Sequence, residues 1–336
     1  MTPLRIGVIG VGSLGFHHAR ILSGMREVAF AGVHDISAAR VAEVADRLGV
    51  RPARSSAELL ERSDAVVIAV PTSAHEDVAL EAIRRGVHVL IEKPIAPTLE
   101  AADRILAAAG EAGALVQIGH VERFNAALRA CEPYLEEPLF VESHRLAPFG
   151  PRGTDVAVVL DLMIHDLDLV LSLMKRPVRT LAAVGVPVLT PSVDIANARL
   201  EFEGGGVANL TASRVSLERM RKIRFFQRSG YISLDLAAGK GEYLRLKPGI
   251  AAQLAAMGPS AAAIVPTAAG IQDLVERIPL DGDDGEPLLH ELNSFVAAAT
   301  GAAPVKVSGR DGRQALAVAL EIVKRMQEHV AVEHSA

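Results

Sequence analysis

The sequence predicts an α/β protein of two domains, in which a doubly wound parallel sheet is followed by an α/β domain with a largely antiparallel, open sheet. Two patterns lead to this prediction. As far as about residue 120, short runs rich in Val and Ile alternate with amphipathic segments, which is typical of parallel strands buried between helix layers. Beyond Glu122, strand-like segments follow one another directly, which is typical of antiparallel hairpins.

We place the first domain at residues 1–121. Its predicted strands are runs that are apolar on both faces: Leu4–Ile9, Val28–Val33, Ala65–Val70, Val87–Ile91 and Leu115–Ile118. Amphipathic helices lie between them, and the clearest are Ala38–Leu48 and Leu99–Ala112. Regular alternation of strand and helix with short loops predicts a doubly wound α/β domain.

The second domain is placed at residues 122–336 and begins with a predicted helix over Val156–Met174. Four alternating segments then predict strands: Arg179–Val186, Ile195–Glu203, Val207–Val215 and Ile223–Gln227. Three glycines, 204–206, form the turn between two of them. Two predicted helices, Pro287–Thr300 and Arg310–Glu328, close the chain, while the Ala-, Gly- and Pro-rich stretch 248–269 is assigned no element.

Composition limits the classes of protein to which the chain can belong. It has 336 residues, half of them apolar, and a net charge of −5, so it can bury two cores and lacks a basic field for nucleic acid. The single cysteine, Cys131, excludes an internal disulfide and fits a reducing compartment. No signal-like leader and no uncharged apolar run of about 18 residues is present. We therefore expect a cytoplasmic protein that neither enters a membrane nor binds nucleic acid.

A glycine-rich segment, Gly10-Val-Gly-Ser-Leu-Gly15, follows the first predicted strand and opens a helix. Glycines at this spacing allow a tight turn, the approach of a pyrophosphate to the backbone, and close packing of helix on strand. The free N–H groups of the helix N-terminus then bind the phosphates. We therefore predict a Rossmann dinucleotide site whose first residues are Gly10, Gly12, Ser13, Leu14 and Gly15.

Asp35 follows the second predicted strand, 20 residues beyond Gly15. A carboxylate there accepts hydrogen bonds from ribose hydroxyls and repels a 2′-phosphate, so the predicted cofactor is NAD rather than NADP. Arg40 lies nearby in the predicted site and would allow some use of NADP. The alternative role of Asp35 is to cap the next helix, which Ser37 could do equally well.

Glu92, Lys93 and Pro94 follow the fourth predicted strand, which places Lys93 at the carboxyl edge of the sheet, where open α/β domains bind ligands. An ammonium group beside a nicotinamide can polarise a substrate oxygen and move protons. Proline after the lysine can fix a cis peptide bond that aims the side chain. The alternative is an ordinary solvated lysine in a loop.

Three polar residues, Asp161, His165 and Asp168, share one face of the otherwise apolar helix predicted over Val156–Met174, with Asp166 beside them. Burying such groups without partners costs about 1–3 kcal/mol each, so this face must meet partners or a cleft. A histidine held by a carboxylate is a general base for an alcohol proton. The alternatives are a hydrogen-bonded polar patch and a metal-binding pair. No third ligand has recognisable spacing, so no metal is predicted.

A basic stretch follows in this acidic chain: Arg214, Arg219, Arg221, Lys222, Arg224 and Arg228. We interpret it first as a subunit interface or a solvated sheet edge and second as a phosphate-binding surface.

Taken together, the motifs resemble the Gfo/Idh/MocA oxidoreductase family over almost the whole chain. The resemblance rests on the glycine-rich segment, on Glu92-Lys93-Pro94, on Asp161-x-x-x-His165 and on Ser308-Gly-Arg-Asp-Gly312. It implies an NAD-dependent oxidoreductase in which Lys93 and His165 flank the reacting carbon, with Asp161 beside them.

The same resemblance implies that Pro71, Thr72 and His75 belong to the cofactor loop, although asparagine is commoner than Thr72 in the family. It also implies that the open sheet of the second domain joins subunits. Family members often carry a glycine cluster before the Asp-x-x-x-His helix, where this chain has Pro151–Val156. That departure leaves the substrate contacts at the start of the helix open.

Two further segments, 119–125 and 142–155, are similar to a narrower branch of the family that oxidises C3 of UDP-N-acetylglucosamine and is linked with lipid A synthesis. They contain the predicted substrate residues: His120, Arg123, Asn125, Arg145 and Arg152. Guanidinium groups suit phosphate oxygens. Each arginine could instead pair with a nearby acid such as Glu122, Glu142 or Asp155.

The predicted function is NAD-dependent oxidation of a secondary alcohol on a sugar, at C3 of UDP-N-acetylglucosamine. Two alternatives stay open: a dehydrogenase of a free cyclitol or sugar such as myo-inositol or glucose, and an NAD-binding regulator without turnover. The predicted partners are further copies of the chain, as a homodimer or homotetramer through the second sheet, and an aminotransferase that consumes the ketone.

Overall fold

The computed structural model describes residues 2–150, 156–250, 256, 274–282 and 285–333, with side chains described as far as residue 328. The strands are β1 (Leu4–Ile9), β2 (Val28–His34), β3 (Ala65–Ile68), β4 (His88–Glu92), β5 (Val116–Gly119), β6 (Phe140–Leu146), β7 (Val178–Val186), β8 (Ile195–Phe202), β9 (Val207–Ser213), β10 (Met220–Gln227), β11 (Gly230–Asp235), β12 (Lys240–Leu246) and β13 (Val275–Asp281). The α-helices are α1 (Ser13–Gly24), α2 (Ala38–Leu48), α3 (Ser56–Glu61), α4 (His75–Arg84), α5 (Leu99–Ala112), α6 (Ala126–Cys131), α7 (Ile164–Met174), α8 (Pro287–Ala299) and α9 (Gly309–Glu333).

The first compact unit comprises Met1–Phe124 together with Gly285–Leu320. Its parallel strands lie in the order β2-β1-β3-β4-β5. The chain leaves β1 toward one edge and leaves β3 toward the other, so the switch point of the topology lies between the carboxyl ends of these two strands. Apolar residues of the strands, such as Ile6 and Val8, pack with Leu22 of α1 and with Leu292 and Phe295 of α8 in one core.

The second compact unit comprises Asn125–Asp284 together with Glu321–Ala336. Its eight described strands lie in the order β13-β12-β11-β10-β6-β9-β8-β7, and all neighbours are antiparallel except the parallel pair β6 and β9. Helices α6 and α7 pack against this sheet. Residues alternate along the strands between a covered, apolar face and a face that is at least partly exposed.

The predicted fold class is confirmed, since a parallel sheet is followed by a mixed, mostly antiparallel one. The division into units differs from the predicted boundary in two respects, the smaller being that the first unit extends to Phe124 rather than to residue 121. Gly285–Leu320 belongs to the first unit rather than to residues 122–336, because α8 packs in the first core and Ser308 forms a bridge with Gln117 of β5. Contacts between segments so far apart in the chain leave no local signal.

The helix predicted over Val156–Met174 has a different form in the structure. A π-helical segment, Val159–Met163, comes first, and the α-helix starts at Ile164. Strands β6, β11, β12 and β13 were not predicted. Most of the stretch 248–269 lies outside the described residues. Among the helices of the described part of the chain, none is both long enough and apolar enough to cross a bilayer.

Candidate functional site

The glycine-rich turn connects β1 to α1. At Gly10 φ is +86°, and a Cβ there would lie 2.7 Å from backbone atoms of Ala69 and Val70, so only glycine fits. A Cβ on Gly15 would lie 1.8 Å from the Gly10 carbonyl oxygen, which explains the close approach of helix to turn. Gly12 differs, because a Cβ on it would meet nothing within 4 Å. Gly12 is the N-cap of α1 and has no side chain that could cap the helix. The helix N-terminus therefore opens onto free space that suits a pyrophosphate.

Asp35 is bonded to this turn. Its Oδ2 accepts a hydrogen bond from the Val11 N–H at 2.8 Å, and its Oδ1 accepts one from the Ser37 N–H at 2.9 Å. Ser37, not Asp35, caps α2, since its side chain accepts a hydrogen bond from the Arg40 N–H. The half-buried carboxylate keeps lone pairs available for ribose hydroxyls.

Arg40 also contacts the turn. Its Nε donates to the Val11 carbonyl at 2.7 Å, its Nη2 donates to the Gly12 carbonyl at 3.4 Å, and its Nη1 pairs with Glu43 at 2.7 Å. The guanidinium is therefore bonded along the glycine-rich turn and on its own helix. This arrangement gives Arg40 a role in holding the turn, beside the predicted tolerance of a 2′-phosphate.

Lys93 follows β4 directly, at the carboxyl edge of the first sheet. Its peptide bond to Pro94 is cis, and its side chain is half-buried. The carboxylate of Glu92, 8% exposed, accepts a hydrogen bond from the Lys93 N–H at 3.3 Å and lies 2.8 Å from Nε2 of His18. Burial would raise the pKa of Glu92, but the hydrogen bond and charge of His18, followed by the charge of Lys93, hold that pKa below its ordinary value. Glu92 is therefore a carboxylate at neutral pH.

The predicted cofactor loop lies at the end of β3, the neighbouring strand. Pro71 is exposed and Thr72 half-buried, as a ligand-contacting loop requires. His75 is 1% exposed, with Nδ1 lying 2.9 Å from the Pro94 carbonyl oxygen and Nε2 lying 3.0 Å from the Val70 carbonyl oxygen. Burial lowers the pKa of His75, more than these carbonyls raise it. The ring connects two loops instead of facing solvent.

One cluster of potential ligands was not predicted from the sequence. His18 of α1, Glu92 and Glu291 of α8 are all buried and each offers one ligand atom within 4.8 Å of the others. Three such atoms could hold a metal ion, but the hydrogen bond between His18 and Glu92 already accounts for the position of two of them. The only sequence signal is a histidine on a helix face that is otherwise apolar.

In the second unit, Asp161 and His165 are both half-buried, while Asp168 is 1% exposed and belongs to the interior. Asp161 lies in the π-helical segment, whose wider turn changes the angular spacing expected of an α-helix. The predicted common face of three residues therefore reduces to two accessible ones. Single π turns recur at functional sites, which favours a role in chemistry over a buried polar patch.

Two of the predicted substrate residues have other roles. Arg145 on β6 makes a bidentate ion pair with Asp166, at 2.9 Å for both bonds, and the two side chains are 4% and 3% exposed. Asn125 caps α6, accepting the Ala127 N–H, and donates to the Leu236 carbonyl. These bonds give both residues a role within the unit, and their predicted substrate contacts stay a prediction.

The predicted substrate contacts of His120, Arg123 and Arg152 stay predictions. His120 is fully buried at the end of β5. The Arg123 side chain, 12% exposed, has its Nη2 4.0 Å from a carboxylate oxygen of Asp311, so its acidic neighbour differs from those expected. Arg152 lies outside the described residues.

The basic stretch is not a sheet edge, because β10 is paired on both sides, with β11 and with β6. Arg214 is 5% exposed and donates to the Val156 carbonyl. Arg224 pairs with Glu142 of the neighbouring strand at 3.3 Å. The solvated-edge interpretation is therefore wrong for β10, and Arg214 and Arg224 are bonded within the unit, while the interpretation as a subunit interface stays a prediction.

A glycine-rich turn under an open helix N-terminus, with a carboxylate at the end of the second strand, defines a dinucleotide-binding domain of the Rossmann class. Comparison with known proteins agrees. The model of the oxidoreductase family with an NAD-binding Rossmann fold matches residues 4–120, and that of the GFO/IDH/MocA C-terminal domain matches residues 108–233. The chain belongs to the Gfo/Idh/MocA family and is an NAD-dependent dehydrogenase.

Two relatives cover nearly the whole chain. UDP-N-acetylglucosamine 3-dehydrogenase of Acidithiobacillus ferrooxidans is 38% identical over 327 residues, which are 96% of this chain and 97% of that protein. A solved structure of that enzyme has a TM-score of 0.86 and covers 98% of this chain and 99% of its own. Myo-inositol 2-dehydrogenase of Thermotoga maritima is 24% identical over 349 residues, covering 98% of both chains.

Proposed function

We propose that this dehydrogenase oxidises the C3 hydroxyl of UDP-N-acetylglucosamine to the 3-keto sugar. The observation that carries the proposal is the similarity, at 38% identity over 96% of the chain, to an enzyme named for that reaction. Function still has to be argued from the site, because one fold hosts many substrates.

The proposed chemistry depends on three residues. When NAD is bound, its nicotinamide ring is the hydride acceptor. His165 takes the hydroxyl proton as the general base, Asp161 holds His165, and the ammonium group of Lys93 stabilises the negative charge on the oxygen as the C–H bond breaks. One C–H and one O–H bond become a C=O bond, the hydride is transferred to the cofactor, and the proton leaves through His165.

Proposed cofactor contacts follow the geometry of the first unit. The pyrophosphate would lie at the N-terminus of α1, against Gly12, Ser13 and Leu14, and the adenosine ribose would lie against Asp35. Pro71 and Thr72 would contact the cofactor from the loop after β3. In the same proposal, His75, Glu92 and Pro94 support the site by holding backbone.

A free cyclitol is the second candidate substrate, and one observation favours it besides the Thermotoga maritima relative. The buried ion pair with Asp166 engages Arg145, which favours a role within the fold over the predicted phosphate contact. Arg123 and Arg152 then remain as the predicted cations for a diphosphate. Arg152→Ala should raise the KM for the nucleotide sugar far more than the KM for NAD if the nucleotide-sugar proposal holds.

A substrate panel tests the function. NADH fluorescence is followed with UDP-N-acetylglucosamine, myo-inositol and glucose, with an aminotransferase and amino donor added to consume any 3-keto product. Highest kcat/KM with the UDP-sugar is expected, with weak turnover until the ketone is removed. A higher kcat/KM with myo-inositol or glucose would replace the proposal by the free-polyol one, and NAD binding without any turnover would indicate a regulator. Loss of the 3-keto product to an aminotransferase is the link that we propose to lipid A precursor synthesis.

We further propose that the partly exposed face of the second sheet binds another copy of the chain. An apolar row crosses five strands on this face: Val207, Phe140, Phe226, Tyr231 and Leu244. A neighbouring row alternates in charge: Arg199, Glu142, Arg224 and Glu242. A surface that carries both signs can pair with itself about a two-fold axis.

Light scattering of the purified chain tests this interface. A dimer or tetramer is expected, and Phe226→Glu should yield monomers because it places a charge in the apolar row. Arg179→Glu, on the edge strand β7, is the control and should leave the mass unchanged. A wild-type chain that stays monomeric at high concentration would refute the interface.

A further inference from the structure

Two buried histidines contact the residues on either side of Lys93. His18 comes from α1 and is fully buried, and its Nε2 donates to Oε1 of Glu92, the residue before the lysine, at 2.8 Å. His75 comes from the start of α4 and is 1% exposed, and its Nδ1 lies 2.9 Å from the carbonyl oxygen of Pro94, the residue after the lysine. The segment Glu92–Pro94 is called the Lys93 loop below.

The Glu92 side of the loop is a chain of hydrogen bonds that ends on the lysine backbone. One carboxylate oxygen of Glu92 accepts from His18, and the other accepts the N–H of Lys93 at 3.3 Å. A carboxylate that is free to rotate could not hold that N–H in place. The bond from His18 therefore fixes the orientation of the carboxylate and, through it, the start of the loop.

The Pro94 side has a different arrangement. Both ring nitrogens of His75 face carbonyl oxygens, of Pro94 at 2.9 Å and of Val70 at 3.0 Å. A carbonyl oxygen only accepts, and a neutral imidazole has one N–H, so one of the two contacts is the hydrogen bond in the neutral ring. Burial disfavours the charged ring that would donate to both. Donation from Nδ1 would hold the end of the loop.

We propose that His18 and His75 are positioning residues that fix the Lys93 ammonium group for hydride transfer by holding Glu92 and Pro94. This inference rests on the proposed catalytic role of Lys93. All of these contacts lie within the first unit. A shift of about 1 Å in a reacting group can cost about 100-fold in rate, so holding both neighbours of the lysine has a large expected effect.

Matched amide substitutions test the two histidines atom by atom. A glutamine amide reaches the place of the histidine Nε2, whereas an asparagine amide reaches the place of Nδ1. His18→Gln therefore keeps the donor to Glu92 and His18→Asn removes it. For His75 the asparagine is the conservative substitution: His75→Asn keeps the donor to Pro94. His75→Gln is the disruptive one, because it keeps only the contact with Val70. The control is His17→Gln, because His17 is exposed on the same helix.

For each variant we would measure kcat with UDP-N-acetylglucosamine and with myo-inositol, and the melting temperature Tm. Cofactor affinity would be measured from the change in NADH fluorescence on binding. We expect His18→Asn and His75→Gln to lower kcat about 10- to 100-fold. His18→Gln, His75→Asn and the control should stay within about threefold of wild type. NAD affinity should differ little within each pair. A purely structural role would change Tm in both members of a pair and leave no such difference in kcat.

A second readout needs no turnover. Acetylation of Lys93 by acetic anhydride is followed by peptide mass spectrometry relative to the exposed Lys240. Glu92→Gln should raise the relative rate about threefold or more, because a neighbouring carboxylate favours the unreactive ammonium form. The two disruptive histidine variants should also change this rate, and their matched partners should not.

The outcomes separate this inference from the proposed function. If the wild type oxidises neither substrate, the proposed function fails, and the acetylation pattern alone decides whether the histidines position Lys93. The inference would be overturned if the glutamine and asparagine variants of each histidine had equal kcat. Equal acetylation of Lys93 in all variants would also overturn it. A drop that appears in NAD affinity rather than in kcat would also overturn it, since the histidines would then act on the cofactor loop.

Discussion

Replacement of Asp35 by serine should narrow the preference for NAD over NADP. The carboxylate is half-buried and is held by the Val11 N–H of the glycine-rich turn and by the Ser37 N–H at the start of α2. A charge pair 4 Å apart interacts by about 1 kcal/mol in water and about 4 kcal/mol at the edge of a protein. For a half-buried carboxylate against a 2′-phosphate we expect about 2–3 kcal/mol, or about 30- to 150-fold in kcat/KM.

Steady-state kcat/KM with each cofactor measures this preference. The wild type should favour NAD by about that factor, and Asp35→Ser should lose most of it, together with some affinity for NAD because the bonds to the Val11 and Ser37 N–H groups disappear. Asp46→Ser removes an exposed acid from α2 and is the control. A wild type that favours NADP, or a preference that survives Asp35→Ser, would refute the assignment of Asp35.

The remaining predictions concern catalysis and stability. Lys93→Ala and His165→Ala should each lower kcat about 10²- to 10⁴-fold, with NAD affinity, measured by calorimetry, nearly unchanged in His165→Ala; near-normal turnover would show a structural residue. Asp166→Asn, which breaks a buried ion pair, should lower the free energy of unfolding in urea by about 3–5 kcal/mol. Glu286→Gln, which breaks the exposed pair with Arg20, should lower it by less than about 1 kcal/mol, and equal losses would contradict this contrast. Burial would raise the pKa of Asp194, but three backbone N–H groups lower it to about 2. Its folded pKa is thus below the unfolded value of about 3.9, so its stabilisation should be complete above that pH and should be lost as pH falls toward 2. Tm measured against pH should fall there in the wild type and less steeply in Asp194→Asn.

The parts of the site that could be predicted from the sequence are those in which chemistry and chain position coincide. Gly10 and Asp35 lie at the ends of adjacent strands, Gly15 lies in the first turn of α1, and short turns fix where their atoms point. Lys93 was placed correctly because the strand before it is apolar and ends at a charged residue. In such cases the local pattern determines the geometry.

The errors come from pairings across the chain. The basic stretch was assigned to an edge because nothing in β10 itself shows that β11 and β6 lie on its two sides. The cluster of His18, Glu92 and Glu291 brings together three elements that are far apart in sequence. A π turn before α7 depends on packing, and no propensity marks it.

Arg145 shows that the alternation of side chains along a strand can also indicate which charged residues are buried. Along β6, Val141, Ser143 and Arg145 are buried and their neighbours are half-exposed, as a period of two requires. An arginine on the covered face must bring a carboxylate with it, and Asp166 is that partner. An arginine at an inward position of a strand is thus first a candidate for a buried ion pair and only second a candidate for a ligand. The same argument directs the search for the diphosphate site to Arg123, which lies in a short turn after β5 and not on a strand.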